Sequence, residues 1–235
     1  MHLFYTPDIT QGQTFYTLPE EESRHCTRVL RLQEGAELKL VDGKGAMFSG
    51  RIAEVHPKRT LIHLIACSDA YGKRNHYLHL AVAPTKNTDR FEWFVEKATE
   101  AGIDEITPLI CARSERKEIK TERLGKVAVS AMKQSLKAYL PRINPAISFH
   151  EFVGKQPYGR PFIAHCMDGE KGFLTDLLQA GEPAVVLIGP EGDFSAEEIA
   201  KAQEQGYQSI SLGTARLRTE TAALATCFEV NFLNR

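Results

Sequence analysis

The fold is decided by the stretch Val185-Val186-Leu187-Ile188-Gly189-Pro190-Glu191-Gly192-Asp193-Phe194-Ser195. Its apolar start predicts a buried strand, its Gly-Pro-Glu-Gly segment a turn, and Ser195 the N-cap of a helix, with Glu198 completing a capping box. Glycines after a strand let a ligand approach the backbone, and a helix N-terminus offers free N–H groups. The stretch therefore predicts a strand–turn–helix unit, which is either an ordinary connection or a ligand site.

A second stretch of the same kind is Leu212-Gly213-Thr214-Ala215-Arg216-Leu217-Arg218-Thr219-Glu220-Thr221-Ala222-Ala223-Leu224. Thr219 is predicted as the N-cap of the last helix, and Glu220 lies in its first turn, where a carboxylate is favourable. The two arginines suit a phosphate, a carboxylate ligand, a partner subunit or local acids. Open α/β sheets bind ligands at the carboxyl ends of their strands, so two such loops favour a site there. Neither stretch has the Gly-Lys-Ser/Thr or GxGxxG pattern of common nucleotide sites.

Outward from these stretches, strands alternate with helices from Tyr77 onward, which predicts an α/β domain with a mostly parallel sheet. The predicted strands are Tyr77–Ala83, Ile106–Ile110, Pro161–Cys166, Ala184–Ile188 and Ser209–Leu212. The predicted helices are Asp89–Ala101, Glu122–Leu140, Phe173–Gln179, Ser195–Gln205 and Glu220–Leu233.

The first seventy residues are β-rich and predict a separate small barrel or sandwich. Asp42-Gly43-Lys44-Gly45 separates two strand patterns as a hairpin turn, and Leu61–Ala66 is a further strand candidate. Pro19–Leu30 opens with acids and closes with bases, which suits a short helix. The polar segment Ser68–Asn75 marks the boundary. We therefore predict domains at residues 1–72 and 73–235.

Composition is that of a soluble globular protein: 235 residues, 43% hydrophobic and 25% charged. The longest apolar runs are too short for a membrane span, and the N-terminus does not resemble a secretory signal. Five cysteines without a CxxC pair, and histidines without HxxxH or HExxH spacing, predict no disulfide framework and no metal site. We expect a cytoplasmic protein.

Charge is unevenly spread along the chain, although the net charge is −1. Residues 71–145 carry 14 Lys and Arg against 9 Asp and Glu. A basic excess of this kind suits a polyanion such as RNA, but it is also what a solvated helix face looks like.

Taken together, several segments resemble the RsmE-type 16S rRNA (uracil-N3)-methyltransferases of the SPOUT superfamily. The resemblance spans essentially the whole chain, and it rests on Gly189–Gly192, Leu212-Gly213, Leu217–Ala222, Glu96–Ile103, Arg113-Ser114, Gln134-Ser135 and His25–Arg31. It implies a PUA-like β-barrel followed by an α/β SPOUT domain with a C-terminal trefoil knot. It also implies a homodimer that binds S-adenosyl-L-methionine in the knot and makes N3-methyluridine in 16S rRNA of the small ribosomal subunit.

Site residues follow from carrying this resemblance onto the matching positions. The implied cofactor-binding residues are Leu187, Ile188, Gly189, Pro190, Glu191, Gly192, Ser211, Leu212, Gly213, Leu217, Thr219, Thr221 and Ala222. The catalytic candidates are Arg218, ranked first as a stabiliser of the uracil anion, and the carboxylates Glu191 and Glu220 as possible bases. Asp193 stands where many relatives have a further Gly, and Thr214-Ala215-Arg216 where many have Pro-Arg-Ile.

RNA binding is assigned to two basic groups of residues. Arg24, Arg28 and Arg31 have the spacing of one helix face, if that helix persists. The central group consists of Arg113, Arg116, Lys117, Lys120 and Arg123.

Other functions remain open from the sequence. One is a SPOUT methyltransferase that acts on another base or RNA. A second, from a different class, is an RNA- or ribosome-binding protein without catalysis. A nucleotide-dependent enzyme of the ordinary doubly wound type is weaker, because the phosphate-binding patterns are absent.

Overall fold

The computed structural model describes residues 2–235 of the chain. The chain forms two compact units, one up to Lys73 with Met132–Leu140, the other Arg74–Ala131 with Pro141–Arg235. Met132–Leu140 thus packs with the first unit, although it lies in the second predicted range. Within residues 2–235, no helix is both long and apolar enough to cross a membrane.

The first unit contains a five-stranded sheet in the order β1-β3-β4-β5-β2. Its strands are β1 (Leu3–Tyr5), β2 (Phe15–Thr17), β3 (Glu37–Val41), β4 (Met47–Glu54) and β5 (Leu61–Ser68). β1 and β3 are parallel, and the other pairs are antiparallel. Two register shifts in the β4–β5 pair bend the sheet, and all five strands contribute to one core cluster.

The predicted hairpin and short helix are both present in this unit. The Asp42 carboxylate accepts hydrogen bonds from the backbone N–H groups of Lys44 and Ala46, which holds the turn between β3 and β4. Helix α1 (Glu20–Arg24) continues as a π-helical turn over His25–Val29.

The second unit contains an eight-stranded sheet in the order β11-β13-β10-β12-β6-β7-β8, with β9 paired to β7. All its pairs are parallel. Its strands are β6 (Leu78–Val82), β7 (Glu105–Ile110), β8 (Arg142–Ile143), β9 (Ile147–Ser148), β10 (Arg160–Ala164), β11 (Gly172–Phe173), β12 (Ala184–Ile188) and β13 (Gln208–Ser211). The fully buried β12 lies between β6 and β10, near the centre of the sheet.

Helices connect and follow these strands. They are α2 (Thr88–Ala101), α3 (Thr121–Gln134), α4 (Phe149–Val153), α5 (Leu174–Leu177), α6 (Ala196–Glu204) and α7 (Thr219–Leu233). α4 and α6 share a core with alternate residues of the strands, such as Ala81, Ile163 and Leu187. α7 packs against α2, β6 and β12. The α/β prediction is therefore confirmed, whereas the short elements β8, β9, β11 and α4 were not predicted.

One predicted helix, Glu122–Leu140, is wrong at its C-terminal end, because α3 stops at Gln134. Leu136 has the left-handed φ of 56°. The N–H groups of Leu136 and Lys137 donate to the carbonyls of Lys133 and Met132, which is a Schellman motif. Glycine usually occupies this left-handed position. Because a leucine stands there instead, the sequence lacks the usual signal for the end of a helix.

Candidate active site

The Gly-Pro-Glu-Gly turn follows β12 directly, at the carboxyl edge of the parallel sheet. Gly189 and Pro190 are buried, whereas Glu191 and Gly192 are exposed. A Cβ atom on Gly189 would lie 3.1 Å from the ring of Phe194, which is fully buried. Any side chain at position 189 would therefore press on Phe194, which would have to shift to make room.

Asp193 closes the turn in a left-handed conformation, with φ of 62°. Such a backbone suits glycine, the residue that the resemblance predicts at this position. The aspartate offsets the strain with its carboxylate, which accepts from the N–H groups of Cys166 and Phe194, both at 2.8 Å. The predicted capping box follows: Ser195 accepts from the N–H of Glu198, and the Glu198 carboxylate accepts from the N–H of Ser195.

Glu198 also links the turn to the loop after β7. Its Oε1 atom accepts from the N–H of Ala112 at 2.8 Å, while its Oε2 atom accepts from Ser195 at 2.9 Å. The side chain is almost fully buried. Because buried carboxylates require such partners, this residue holds two loops in register.

The second loop leaves β13 at Ser211 and reaches α7 at Thr219. The Ser211 hydroxyl lies 3.3 Å from both the N–H and the carbonyl of Gly213. Gly213 has φ of 105°, and none of the described atoms lies within 4 Å of the place where its Cβ atom would be. The loop therefore presents bare, exposed backbone around position 213.

A buried hydrogen bond joins the two loops. The Thr219 hydroxyl donates to the carbonyl oxygen of Gly189 at 3.0 Å. The prediction of Thr219 as an N-cap is wrong, because Arg218 is the N-cap and Thr219 is the first helical residue. The Thr219 hydroxyl serves the neighbouring loop instead of its own helix.

The three catalytic candidates have different surroundings. Arg218 is exposed, and its side chain has no hydrogen bond or ion pair with the described part of the chain. Glu220 is buried, with its Oε1 atom 3.8 Å from Nε of Arg90. Glu191 is exposed and accepts from the N–H of Lys86 at 2.9 Å. The structure thus leaves Arg218 available to a substrate and gives each carboxylate a cationic or N–H partner.

The loop after β6, residues 83–87, is a further loop at this edge, and it was missed from the sequence. Lys86 donates its N–H to Glu191, and its carbonyl accepts from Nε and Nη2 of Arg116 at 3.2 and 2.9 Å. Its ammonium group pairs with Glu115 at 2.8 Å, which raises the pKa of Lys86. Since this loop also follows a predicted parallel strand, its position was a usable signal.

The central basic residues divide into two groups. Arg113, Arg116 and Arg123 bind protein groups: Arg113 donates to the carbonyl of Gly192 at 2.9 Å, Arg116 to Lys86, and Arg123 pairs with Glu92 at 2.6 Å. Lys117 and Lys120 are exposed without a described ion pair. Lys86, Arg116, Lys117, Lys120 and Arg123 all line one open cavity of about 820 Å³.

The N-terminal arginines do not share a helix face. Arg24 pairs with Glu20 one turn earlier, and Arg28 lies in the π-helical turn. Arg31 lies beyond the helix with a left-handed φ of 54°. The expected one-face spacing fails because the chain leaves the helix at Leu30, although all three side chains are exposed.

Across residues 2–235, no three His, Cys, Asp or Glu side chains lie close enough together to hold a metal ion.

Comparison with known proteins now bears on this site. The family model of the RNA methyltransferase domain matches residues 73–231, and that of the RNA methyltransferase PUA domain matches residues 18–65. The chain belongs to the RNA methyltransferase family. The predicted resemblance, the α/β methyltransferase fold and the PUA-like N-terminal module are thereby confirmed, whereas the trefoil knot stays a prediction.

Solved structures and curated relatives agree with the family models. The crystal structure of a probable rRNA methyltransferase from Porphyromonas gingivalis is 38% identical with a TM-score of 0.92, covering 100% of this chain and 98% of that one. The ribosomal RNA small subunit methyltransferase E of Neisseria gonorrhoeae, crystallised with S-adenosyl methionine, is 27% identical with a TM-score of 0.88, covering 100% and 98%. The Bacillus subtilis protein of that name is 25% identical over 95% of this chain and 92% of its own.

Replacing Thr219 with valine tests the hydrogen bond that links the two loops. Valine keeps the shape but leaves the buried Gly189 carbonyl without its donor, at a cost of roughly 1–3 kcal/mol. We expect S-adenosyl-L-methionine affinity, measured by calorimetry, to fall by about tenfold. Thr219→Ser retains the hydroxyl and should bind normally; equal affinity in the valine and serine variants would show that this bond does not order the site.

Proposed function

We propose that this protein transfers a methyl group from S-adenosyl-L-methionine to N3 of a uridine in 16S rRNA. The observation that carries the proposal is the hydrogen bond from Thr219 to Gly189, which unites the two family-typical loops at one sheet edge. The relatives named ribosomal RNA small subunit methyltransferase E support the choice of RNA.

The residues at this edge fit an adenosine-containing cofactor. Gly213 offers exposed backbone into which no described side chain projects, and Ser211–Leu217 supplies N–H and carbonyl groups for a base edge. The implied cofactor set would hold the adenosine through the backbones of both loops, with Leu212 and Leu217 against the ring. When bound, S-adenosyl-L-methionine supplies an electrophilic methyl group on a sulfonium.

Arg218 is placed to assist the acceptor base. N3 of uracil must lose its proton before it attacks, and the charge then spreads over the ring and its carbonyl oxygens. A guanidinium without a protein partner stabilises such an anion through directed N–H donors. Its backbone is fixed because the adjacent Thr219 binds Gly189.

The proton has two candidate acceptors in the chain. Glu191 is exposed, and its bond to Lys86 uses only one of its acceptor sites, so it can still take a proton. Glu220 is buried beside Arg90, an arrangement better suited to positioning Arg90 and the start of α7. We therefore propose Glu191 rather than Glu220 as the base that accepts the proton. Arg218 stays the first-ranked catalytic residue.

The assembly implied by the family is part of the proposal. Phe228 and Phe232 on α7 are exposed, with ring centroids 5.6 Å apart, and Trp93 on the neighbouring α2 is also exposed. Exposed aromatic groups of this kind mark interaction surfaces, which supports a homodimer through α7. We further propose that the C-terminal segment forms the trefoil knot and that the substrate is a small ribosomal subunit in the cytoplasm.

The reaction itself can be tested with small ribosomal subunits from a strain that lacks this protein's gene. Purified protein and isotopically labelled S-adenosyl-L-methionine are added, and the RNA is digested to nucleosides for mass spectrometry. We expect label in N3-methyluridine. Label in another nucleoside would contradict the base assignment, and an absence of both label and cofactor binding would indicate a non-catalytic RNA-binding protein.

Arg218→Ala should lower kcat by about a hundredfold, since removing one donor to a developing anion has roughly that effect. Cofactor affinity should stay within about twofold. Arg216→Ala, which removes the same charge two residues earlier in the exposed loop, is the matched control. Normal turnover of the Arg218→Ala enzyme on saturating RNA would exclude this role.

RNA phosphates are proposed to follow the cavity lined by Lys86, Lys117 and Lys120. Lys117 and Lys120 are the sharpest probes, because their removal breaks no described ion pair. Arg113, Arg116 and Arg123 keep some N–H donors for RNA, but their replacement would also disturb the loops. Arg24, Arg28 and Arg31 provide a second proposed contact in the PUA-like unit.

The double variant Lys117→Gln/Lys120→Gln should weaken RNA binding and flatten its dependence on salt. Each lost phosphate contact changes the slope of log K against log salt by roughly 0.7 to 0.9. Filter binding at several salt concentrations measures this slope. The control is Lys126→Gln, because Lys126 is exposed on α3 and lies outside the cavity; this variant should keep the wild-type slope. Equal slopes in the wild type, the double variant and the control would contradict RNA binding along this cavity.

A further inference from the structure

A second cavity lies at the opposite edge of the parallel sheet. Its volume is about 550 Å³, which is within the range of small-molecule sites. It is lined by the amino ends of the strands, with His79 near the start of β6, Glu105 at the start of β7, and Tyr207 just before β13. The proposed methyl-transfer site is at the carboxyl ends, so the two are distinct.

The floor of this cavity is an ordered polar network. The Tyr77 hydroxyl and the Asn144 amide both donate to the Glu105 carboxylate. The same amide nitrogen donates to the Thr107 hydroxyl at 2.7 Å, and Nε2 of His79 lies 2.7 Å from that hydroxyl. Burial raises the pKa of Glu105, but the hydrogen bonds from Asn144 and Tyr77, together with electrostatic attraction to neighbouring groups that include Arg142, hold that pKa below its ordinary value.

Burial lowers the pKa of His79, which favours the neutral imidazole. Nε2 of His79 and the Thr107 hydroxyl form one hydrogen bond, and the hydroxyl, with one donor and two acceptor sites, fits either direction of that bond. The floor thus combines a carboxylate acceptor with an imidazole ring.

Tyr207 is a buried polar residue of the lining. It is only 2% exposed, it lines both this cavity and an adjoining one, and its hydroxyl has no hydrogen-bond partner anywhere in residues 2–235. Burial raises the pKa of Tyr207 to about 12, so the hydroxyl keeps its proton and can donate. A buried hydroxyl without a partner is costly, which points to a ligand group that completes it.

Aromatic rings and cations complete the lining. Tyr158 is 70% exposed and meets Tyr77 edge to face at 5.0 Å, while Phe152 meets His79 at 5.4 Å. Arg142 and Lys155 are exposed lining residues. Lys155 pairs at 3.0 Å with Glu151, which also lines the cavity, whereas Arg142 has no described ion pair. The rings suit a flat aromatic ligand, and Arg142 suits a phosphate attached to it.

We propose that this cavity binds an unpaired nucleobase carrying a phosphate, either a free nucleotide or a base of single-stranded RNA. The base stacks on Tyr158, and its polar edge takes the hydrogen bond of Tyr207. A quaternary ammonium ligand, which aromatic rings also attract, is disfavoured because Arg142 is beside Glu105 in the same lining. The site does not depend on the methyl-transfer proposal.

The test uses full-length protein saturated with S-adenosylhomocysteine, so that adenosine-binding backbone at the other edge is blocked. Uridine and adenosine 5′-monophosphates and a single-stranded hexauridylate are titrated by calorimetry and saturation-transfer NMR. Wild-type protein should bind at least one probe with Kd of about 0.1–1 mM. Tyr207→Phe should weaken binding about fivefold, and Tyr158→Ala about tenfold.

Tyr71→Phe, the same chemical change at an exposed tyrosine of the first unit, should bind like the wild type. Binding of the monophosphates alone identifies a free-nucleotide site, whereas binding of hexauridylate identifies an RNA contact, and both support the proposal. It is overturned if no probe binds, if tetramethylammonium displaces the bound probe, or if neither cavity variant changes the affinity. Methyl transfer should remain normal in Tyr207→Phe.

Discussion

The hydrogen bond from Thr219 to the carbonyl of Gly189 is the constraint on which the candidate active site depends. It joins residues thirty positions apart in the chain, and it is buried, so water cannot replace it cheaply. Because it fixes the first residue of α7, it also fixes the backbone of Arg218 and the loop before it. Ordering flexible loops on ligand binding would cost free energy and so weaken the affinity. Two loops that are already joined by a hydrogen bond hold their backbone groups in position before the ligand binds.

A second set of bonds extends this order to the other loops of the same edge. Glu191 holds Lys86, Arg116 holds the carbonyl of Lys86, and Glu198 holds Ala112. Side chains of the types that serve in catalysis or RNA binding thus also hold neighbouring loops together through hydrogen bonds to their backbones. An arginine can serve in both ways because a guanidinium has five N–H donors. One or two of them can bind carbonyls while the rest face a phosphate.

Strong local patterns predicted the fold well. β12 is predicted to the residue, and the capping box of Ser195 and Glu198 forms as expected, since both depend on neighbours in sequence. The helix end at Leu136 was missed because a leucine occupies a left-handed position that glycine usually fills. Thr219 was misread because its hydroxyl donates to Gly189, thirty residues earlier, instead of capping its own helix. Lys86 and Arg90 were missed because their partners, Glu191 and Glu220, lie more than a hundred residues later in the chain.

The two ends of the parallel sheet have different physical characters. At the carboxyl edge, glycines and exposed loops keep backbone donors and acceptors open, which suits a ligand recognised by hydrogen bonds to its edges. At the amino edge, His79, Glu105, Thr107 and Asn144 satisfy one another and leave the buried hydroxyl of Tyr207 without a partner. Each unsatisfied buried group costs stability, so this hydroxyl is the group that a bound ligand would complete. The proposed nucleotide site at the amino edge combines that hydroxyl with the aromatic rings of the same lining.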